Sequence, residues 1–167
     1  MLTYTVYRTI DTIGDAHMDW SYQEKSIAGS LAATVLVYGN YFGGSLRQWL
    51  DGTPEEHPVA RLLSTVALLV TIEVVYQIVI AIADRPAPKD ERDRSIDAKA
   101  NRNAYGVLVV GLAHLIGCVL IAEGVSSPAW PPLPLTPFLM AQAALAALIA
   151  AEVVRDVTQL YYYRAGL

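Results

Sequence analysis

Four stretches of this sequence are long and apolar enough to cross a bilayer as helices, and that constrains the fold more than any other feature. A hydrocarbon layer of ~30 Å takes roughly 20 helical residues. The stretches at about 27–46, 62–83, 104–123 and 138–160 meet that length. A soluble helix keeps a wide polar face, and these show at most a narrow one. A soluble all-α bundle with unusually apolar helices is the competing expectation. Composition weighs against it, because 54% of the residues are hydrophobic and only 17% charged. Soluble domains carry about 25% charged residues. The expected fold is all-α, an integral membrane four-helix bundle over residues 18–167, with residues 1–17 as an N-terminal extension.

Orientation is read from the basic residues. Arg85, Lys89, Arg92, Arg94, Lys99 and Arg102 crowd the connection between the second and third stretches, whereas 124–137 carries none. Basic loops stay in the cytoplasm, so the central connection and, with four spans, both termini are expected there. Lys25 and Arg164 agree with this, and Arg47 and Arg61 flank the first connection. Trp49 and Trp130 then fall near the outer interface, and Tyr161, Tyr162 and Tyr163 near the inner one, as aromatic belts do.

The opening "MLTYTVYRTIDTIGDAH" has no continuous apolar core of a signal peptide. Its weak alternation at Leu2, Tyr4 and Val6 predicts a short strand, and Met18 is an alternative start just before the first span. The one cysteine, Cys118, allows no internal disulfide and no cysteine-based zinc cluster.

The two halves are alike. "VLVYGNYFGG" at 35–44 matches "VLVVGLAHLIG" at 107–117, and "IEVVYQIV" at 72–79 matches "AEVVRDVT" at 151–158. Two tandem two-helix repeats in the same orientation are one reading, related by an axis along the membrane normal. Coincidence between Val-rich helices is the other. The connections differ. Asp51-Gly52 and Pro54 signal a turn in a polar outer loop. "SSPAWPPLPLTP" is too proline-rich for a helix and is expected to cover the outer face in irregular form. Asp90, Glu91 and Asp93 precede Lys99 and Arg102, and no proline or glycine interrupts 89–105. This predicts a cytoplasmic helical extension of the third span, its acids near the positive end of the helix dipole. As cation ligands those acids match no loop signature, so a solvated helix face is expected.

"DWSYQEKSI" before a first span, "PKDERDRSIDAKANRNAYGVLVVG" before a third, and the ending "TQLYYYRAG" resemble an uncharacterised family of small bacterial inner-membrane proteins. Its members share a "DERDR-I--KA---AY" stretch. The resemblance covers 18–167. It implies four membrane helices in the bacterial inner membrane, and it transfers no activity, cofactor or site residue.

The groups able to carry chemistry lie inside the spans. Glu73 sits near the middle of the second, where an ionised carboxylate costs at least ~2.5–3.5 kcal/mol. It must pair, face the interior or stay protonated. Tyr76 and Gln77 follow it at i+3 and i+4. On the fourth span Glu152, Arg155, Asp156 and Gln159 form one stripe running to the cytoplasmic edge. Arg155 can reach Glu152 or Asp156 along the helix, or Glu73 across the bundle. One reading makes these residues polar glue between helices. The other makes them a proton- or cation-linked site in which Glu73 titrates.

His114 lies near the centre of the third span, on the face of Gly111 and Cys118. A packing histidine is expected. Haem ligation through His114 would require a dimer, because the spans hold no second histidine. Ala143, Ala147 and Ala151, and Ala28 with Ala32, are small-residue rows that let helices approach in the bundle or in a homodimer.

No catalytic or phosphate-loop signature is present. The net charge of −4, with basic residues interleaved among acids, argues against nucleic acid. The expectation is a non-enzymatic protein of the lipid bilayer, without cofactor or metal, that acts on a protein partner through its cytoplasmic face. The alternatives are a small ion-coupled transporter using the carboxylate–arginine cluster, and a haem-binding dimer through His114.

Overall fold

A computed structural model of the chain describes residues 20–53, 56–84, 88–124 and 136–166. The strand expected within Met1–His17 and the irregular cover over 126–135 lie outside these residues. The described residues are all-helical and contain no strand: α1 spans Tyr22–Leu50, α2 Pro58–Ala83, α3 Glu91–Gly124 and α4 Pro137–Ala165.

Local chemistry sets each boundary. Ser21 and Glu24 form a reciprocal capping box at the start of α1, satisfying two otherwise orphaned amides. The helix ends in the expected Asp51-Gly52 turn, where Gly52 has φ +64°. Proline opens both α2 and α4, where its missing N–H costs nothing. Thr136 also caps α4 through the Leu139 amide. At α3, the Asp93 amide donates to Asp90 Oδ1 at 2.7 Å and the Asp90 amide to Asp93 Oδ2 at 3.1 Å. The predicted continuity of the charged segment with the third span holds. α3 is a single helix of 34 residues, about 51 Å long at ~1.5 Å per residue.

Three helices, α2, α3 and α4, are long and apolar enough to cross a membrane. α1 has the length, at 29 residues, but its middle carries Tyr38, Asn40 and Tyr41 among small residues. It falls short of the other three in apolarity. Large apolar side chains point outward, with Ile82 81% exposed, Leu36 72% and Val110 70%. Monomeric soluble proteins rarely show contiguous apolar patches of such extent, and in a membrane protein these side chains meet lipid.

The helices pack in the order α2–α1–α4–α3. α2 touches α1, α1 touches α4, and α4 touches α3; no other helix pair is in contact among the described residues. A two-fold pair of hairpins would match the α1–α4 contact with an α2–α3 contact, and the described residues show only the first.

Close approach depends on small residues. The Tyr76 ring lies where a Cβ on Gly29 would stand. On the same face of α1, Ser26 and Ser30 bond to α2. Between α3 and α4, a Cβ on Gly111 would come within 2.7 Å of the Ala147 Cβ. Of the two alanine rows, Ala147 and Ala151 are used in packing, while Ala32 and Ala143 are exposed.

Candidate functional site

The polar side chains predicted to matter gather toward the end of the molecule where α1 and α3 begin and α2 and α4 finish, in two groups on either side of α1. On the α2 side, Ser30 Oγ donates to Glu73 Oε1 at 2.7 Å. Ser26 Oγ donates to Gln77 Oε1 at 3.0 Å, and Tyr76 OH donates to the Lys25 carbonyl at 2.6 Å. Lys25 pairs with Asp84 at the end of α2. Glu73 is half-buried, and its hydroxyl donor comes from α1, not from an arginine.

On the α4 side, Arg155 Nε and Nη2 both stand 3.0 Å from Asp156 Oδ1. Asp156 is 3% exposed. The pairing of Arg155 therefore lies within its own helix. It forms no ion pair with Glu152 or Glu73 among the described residues. Glu152 is exposed. Both glutamates nevertheless lie near enough to act electrostatically on Asp156. The predicted cluster is thus brought together as a charge neighbourhood, bonded separately on each side of α1.

The sequence reading of the α3 extension as a solvated face needs correcting. Ile96 is 1% exposed and Ala100 0%, one turn apart on a face that also holds Asp93 and Asp97. Asp93 is buried and accepts from Tyr163 OH at 2.9 Å. Asp97 Oδ1 accepts from Gln159 Nε2 at 2.9 Å, and Asp97 Oδ2 pairs with Lys89. Both acids thus meet partners on α4, because α3 keeps packing on α4 beyond the apolar part of its own sequence.

One polar layer therefore crosses all four helices. Gln77 of α2 meets Ser26 of α1, and Gln159 of α4 meets Asp97 of α3. Ser26 and Gln159 face a common cavity between them. The cavity has a volume of ≈ 400 Å³. Its floor is the α4 row Arg155, Gln159 and Tyr163. Tyr22, Gln23, Ser26 and Ile27 of α1 form one wall, and Lys89, Asp97 and Asn101 the other. The space exists because α1 and α3 both rest on α4 without touching each other. Glu73, Tyr76 and Gln77 do not line it.

Where the first turn of α1 meets the last turn of α4, Arg164 Nε donates to Glu24 Oε1 at 2.9 Å and its guanidinium lies 4.3 Å from the Trp20 ring centroid. Burial works to raise the Glu24 pKa. The Ser21 amide and hydroxyl and the Arg164 charge outweigh it and hold Glu24 below its ordinary value.

A second polar group, toward the opposite end of the helices, was missed in the sequence. Arg61 of α2 donates to the Tyr41 carbonyl at 2.9 Å and to Gln48 Oε1 at 3.2 Å. It also lies 5.2 Å from the Tyr41 ring centroid. Tyr41 OH bonds to Gln142 Nε2 of α4. Gly44 leaves the room that the guanidinium occupies. A basic residue at a helix end reads in sequence as a loop anchor, so only the packing reveals this role.

His114 is exposed on α3, with Nε2 3.6 Å from Cys118 Sγ. Within the single chain the His114 ring does not pack on another helix, although Gly111 one turn earlier lies against Ala147 of α4. No group of three or more His, Cys, Asp or Glu side chains able to hold a metal occurs among the described residues.

Comparison of the chain with known protein families, with characterised proteins and with solved structures finds no match.

Proposed function

We propose that this chain is a four-span protein of a bacterial inner membrane, both termini cytoplasmic, that acts without catalysis by engaging a partner at its cytoplasmic end. In this reading α1 is the fourth span, shielded between α2 and α4 and so tolerant of polar residues. The family resemblance read from the charged stretch supports the bacterial setting. A tandem duplication would then concern the two hairpins and not their mode of assembly. A homodimer would bury apolar faces that the single chain leaves open.

The observation that carries the reading is the polarity of the molecule along its length. Cavity, ion pairs and the unburied basic side chains of α3 lie at the end marked by basic residues, while most remaining surface is apolar. Arg92 and Arg94 are exposed on α3. A photo-reactive amino acid at either should give a discrete protein adduct in living cells, and one at the lipid-facing Val110 should not. No adduct at either arginine, or the same adduct at Val110, would refute a cytoplasmic partner surface.

A second reading, an ion-coupled carrier, is favoured by one feature: the cavity reaches Arg155, which is paired with a nearly inaccessible carboxylate. Against it, Glu73 lies off the cavity and is satisfied by Ser30. A Glu73→Gln protein that folds but loses proton-linked flux in liposomes would establish the carrier. Unchanged flux, or none in either protein, would leave Glu73 as interhelical glue.

A further inference from the structure

The ≈ 400 Å³ cavity between α1 and α3 is lined by two cationic side chains, Arg155 and Lys89, that keep hydrogen-bond donors in reserve. Arg155 spends its Nε/Nη2 edge on Asp156, so Nη1 keeps both of its N–H groups. Lys89 spends one ammonium hydrogen on Asp97 and has three. The amides of Gln23 and Asn101 add four N–H donors. On the acceptor side, both Asp97 oxygens are already engaged, by Gln159 and by Lys89. The hydroxyls of Ser26 and Tyr163 already donate to Gln77 and Asp93. Two cations and two amides thus face one space whose only lining carboxylate, Asp97, already accepts a hydrogen bond at each oxygen.

The position of the cavity narrows the class further. Its α3 wall, Asp97 and Asn101, belongs to the last charged and polar turns before the apolar run beginning at Ala104. The cavity therefore stands at the level where α3 passes from water to hydrocarbon. Ile27 contributes an apolar patch to the lining, and Tyr22 and Tyr163 line it as well. A volume of this size lies within the range of small-ligand sites. Arginine with lysine is the usual recognition pair for phosphate oxygens.

We propose that this cavity binds a phosphate ester, with Arg155 and Lys89 holding the phosphate oxygens and Asn101 and Gln23 orienting the group. A phospholipid headgroup and a soluble phosphate ester present the same chemistry. The inference rests on the reading of this end as the cytoplasmic one, but it makes a separate claim. Binding in detergent does not depend on orientation, so its failure leaves the topology and the partner surface untouched.

The test uses the full chain in detergent. Three probes are titrated and followed by thermal shift and calorimetry: dihexanoyl phosphatidylglycerol, inorganic phosphate, and dihexanoylglycerol, which lacks the phosphate. Saturable binding of the phospholipid but not of dihexanoylglycerol is expected. Competition by inorganic phosphate would assign the site to soluble phosphate esters as well, and its absence would restrict it to lipid headgroups.

Lys89→Gln, at an exposed side chain, should weaken phosphate-dependent binding about tenfold while leaving the melting temperature of the free protein unchanged. The double variant Arg155→Gln/Asp156→Asn removes both charges of the buried pair together, so it should fold, and it should abolish binding. Equal binding of dihexanoylglycerol and phosphatidylglycerol, no binding of any phosphate probe, or undiminished binding by Lys89→Gln would overturn the proposal. Should the double variant fail to fold, the lysine variant and the phosphate-free probe decide the matter alone.

Discussion

Replacing Arg155 by alanine tests whether the buried carboxylate on α4 needs its neighbour. The Asp156 side chain is 5% exposed and that of Arg155 39%. Breaking a buried pair by removing one partner typically costs about 3–5 kcal/mol, because the remaining charge is stranded. Water reaches the guanidinium, so the pair already falls short of full burial and the expected loss sits at the low end, about 3 kcal/mol. Asp156 also feels the Glu73 and Glu152 carboxylates. Removing Arg155 leaves three acids in one neighbourhood with no cation among them, which keeps the cost from falling lower. Glu73→Gln should behave differently. An amide oxygen still accepts the Ser30 hydroxyl, so the change should stay within about 1 kcal/mol, the value of one ordinary hydrogen bond. Reversible unfolding in mixed micelles, followed by circular dichroism, measures both variants against the wild type. Restoring neutrality with Asp156→Asn in the Arg155→Ala background should recover most of the loss. If Arg155→Ala melts with the wild type, or if Glu73→Gln is the more damaging change, the assignment of Arg155 to Asp156 as the essential pairing is wrong.

Gly29→Ala should weaken the hold of α1 on α2, because the new Cβ occupies the place of the Tyr76 ring. Overpacking of about 1–3 kcal/mol outweighs a helix-propensity gain of up to ~1 kcal/mol, and a more stable variant in a melting assay would contradict it. Single cysteines at Thr53 and Thr136 should react with an impermeant maleimide added outside whole cells, and one at Lys99 should not; the reverse pattern would invert the topology. Glu24 has a lowered pKa in the folded chain, so its contribution is complete above the ordinary carboxylate value and is lost as pH falls through the folded one. Melting temperature should therefore drop on acidification below about pH 4.5, and Glu24→Gln should flatten that drop; an unchanged acid limb would remove Glu24 from the cause.

Hydropathy and local chemistry made much of this molecule legible. Apolar runs longer than a bilayer is thick leave the backbone no choice but helix, since only a helix satisfies its own amides without water. That is why α2, α3 and α4 could be read directly, while the Asp51-Gly52 turn was legible from its own residues. The same logic made Glu73 and the Arg155–Asp156 stripe conspicuous, because a charge among apolar neighbours is visible in one dimension. Periodicity shows which residues share a face, but it does not say which helix covers that face. Only the tertiary structure decided that α1 takes the central place beside α4, that α1 and α3 stand apart and leave a cavity, and that Asp93 and Asp97 turn inward onto α4. It also decided that Arg155 closes on its own neighbour instead of Glu73, and that Arg61 reaches across to Tyr41. Small residues at Gly29, Gly44 and Gly111 admit side chains of the neighbouring helix, and the order α2–α1–α4–α3 follows from contacts between residues far apart in the chain.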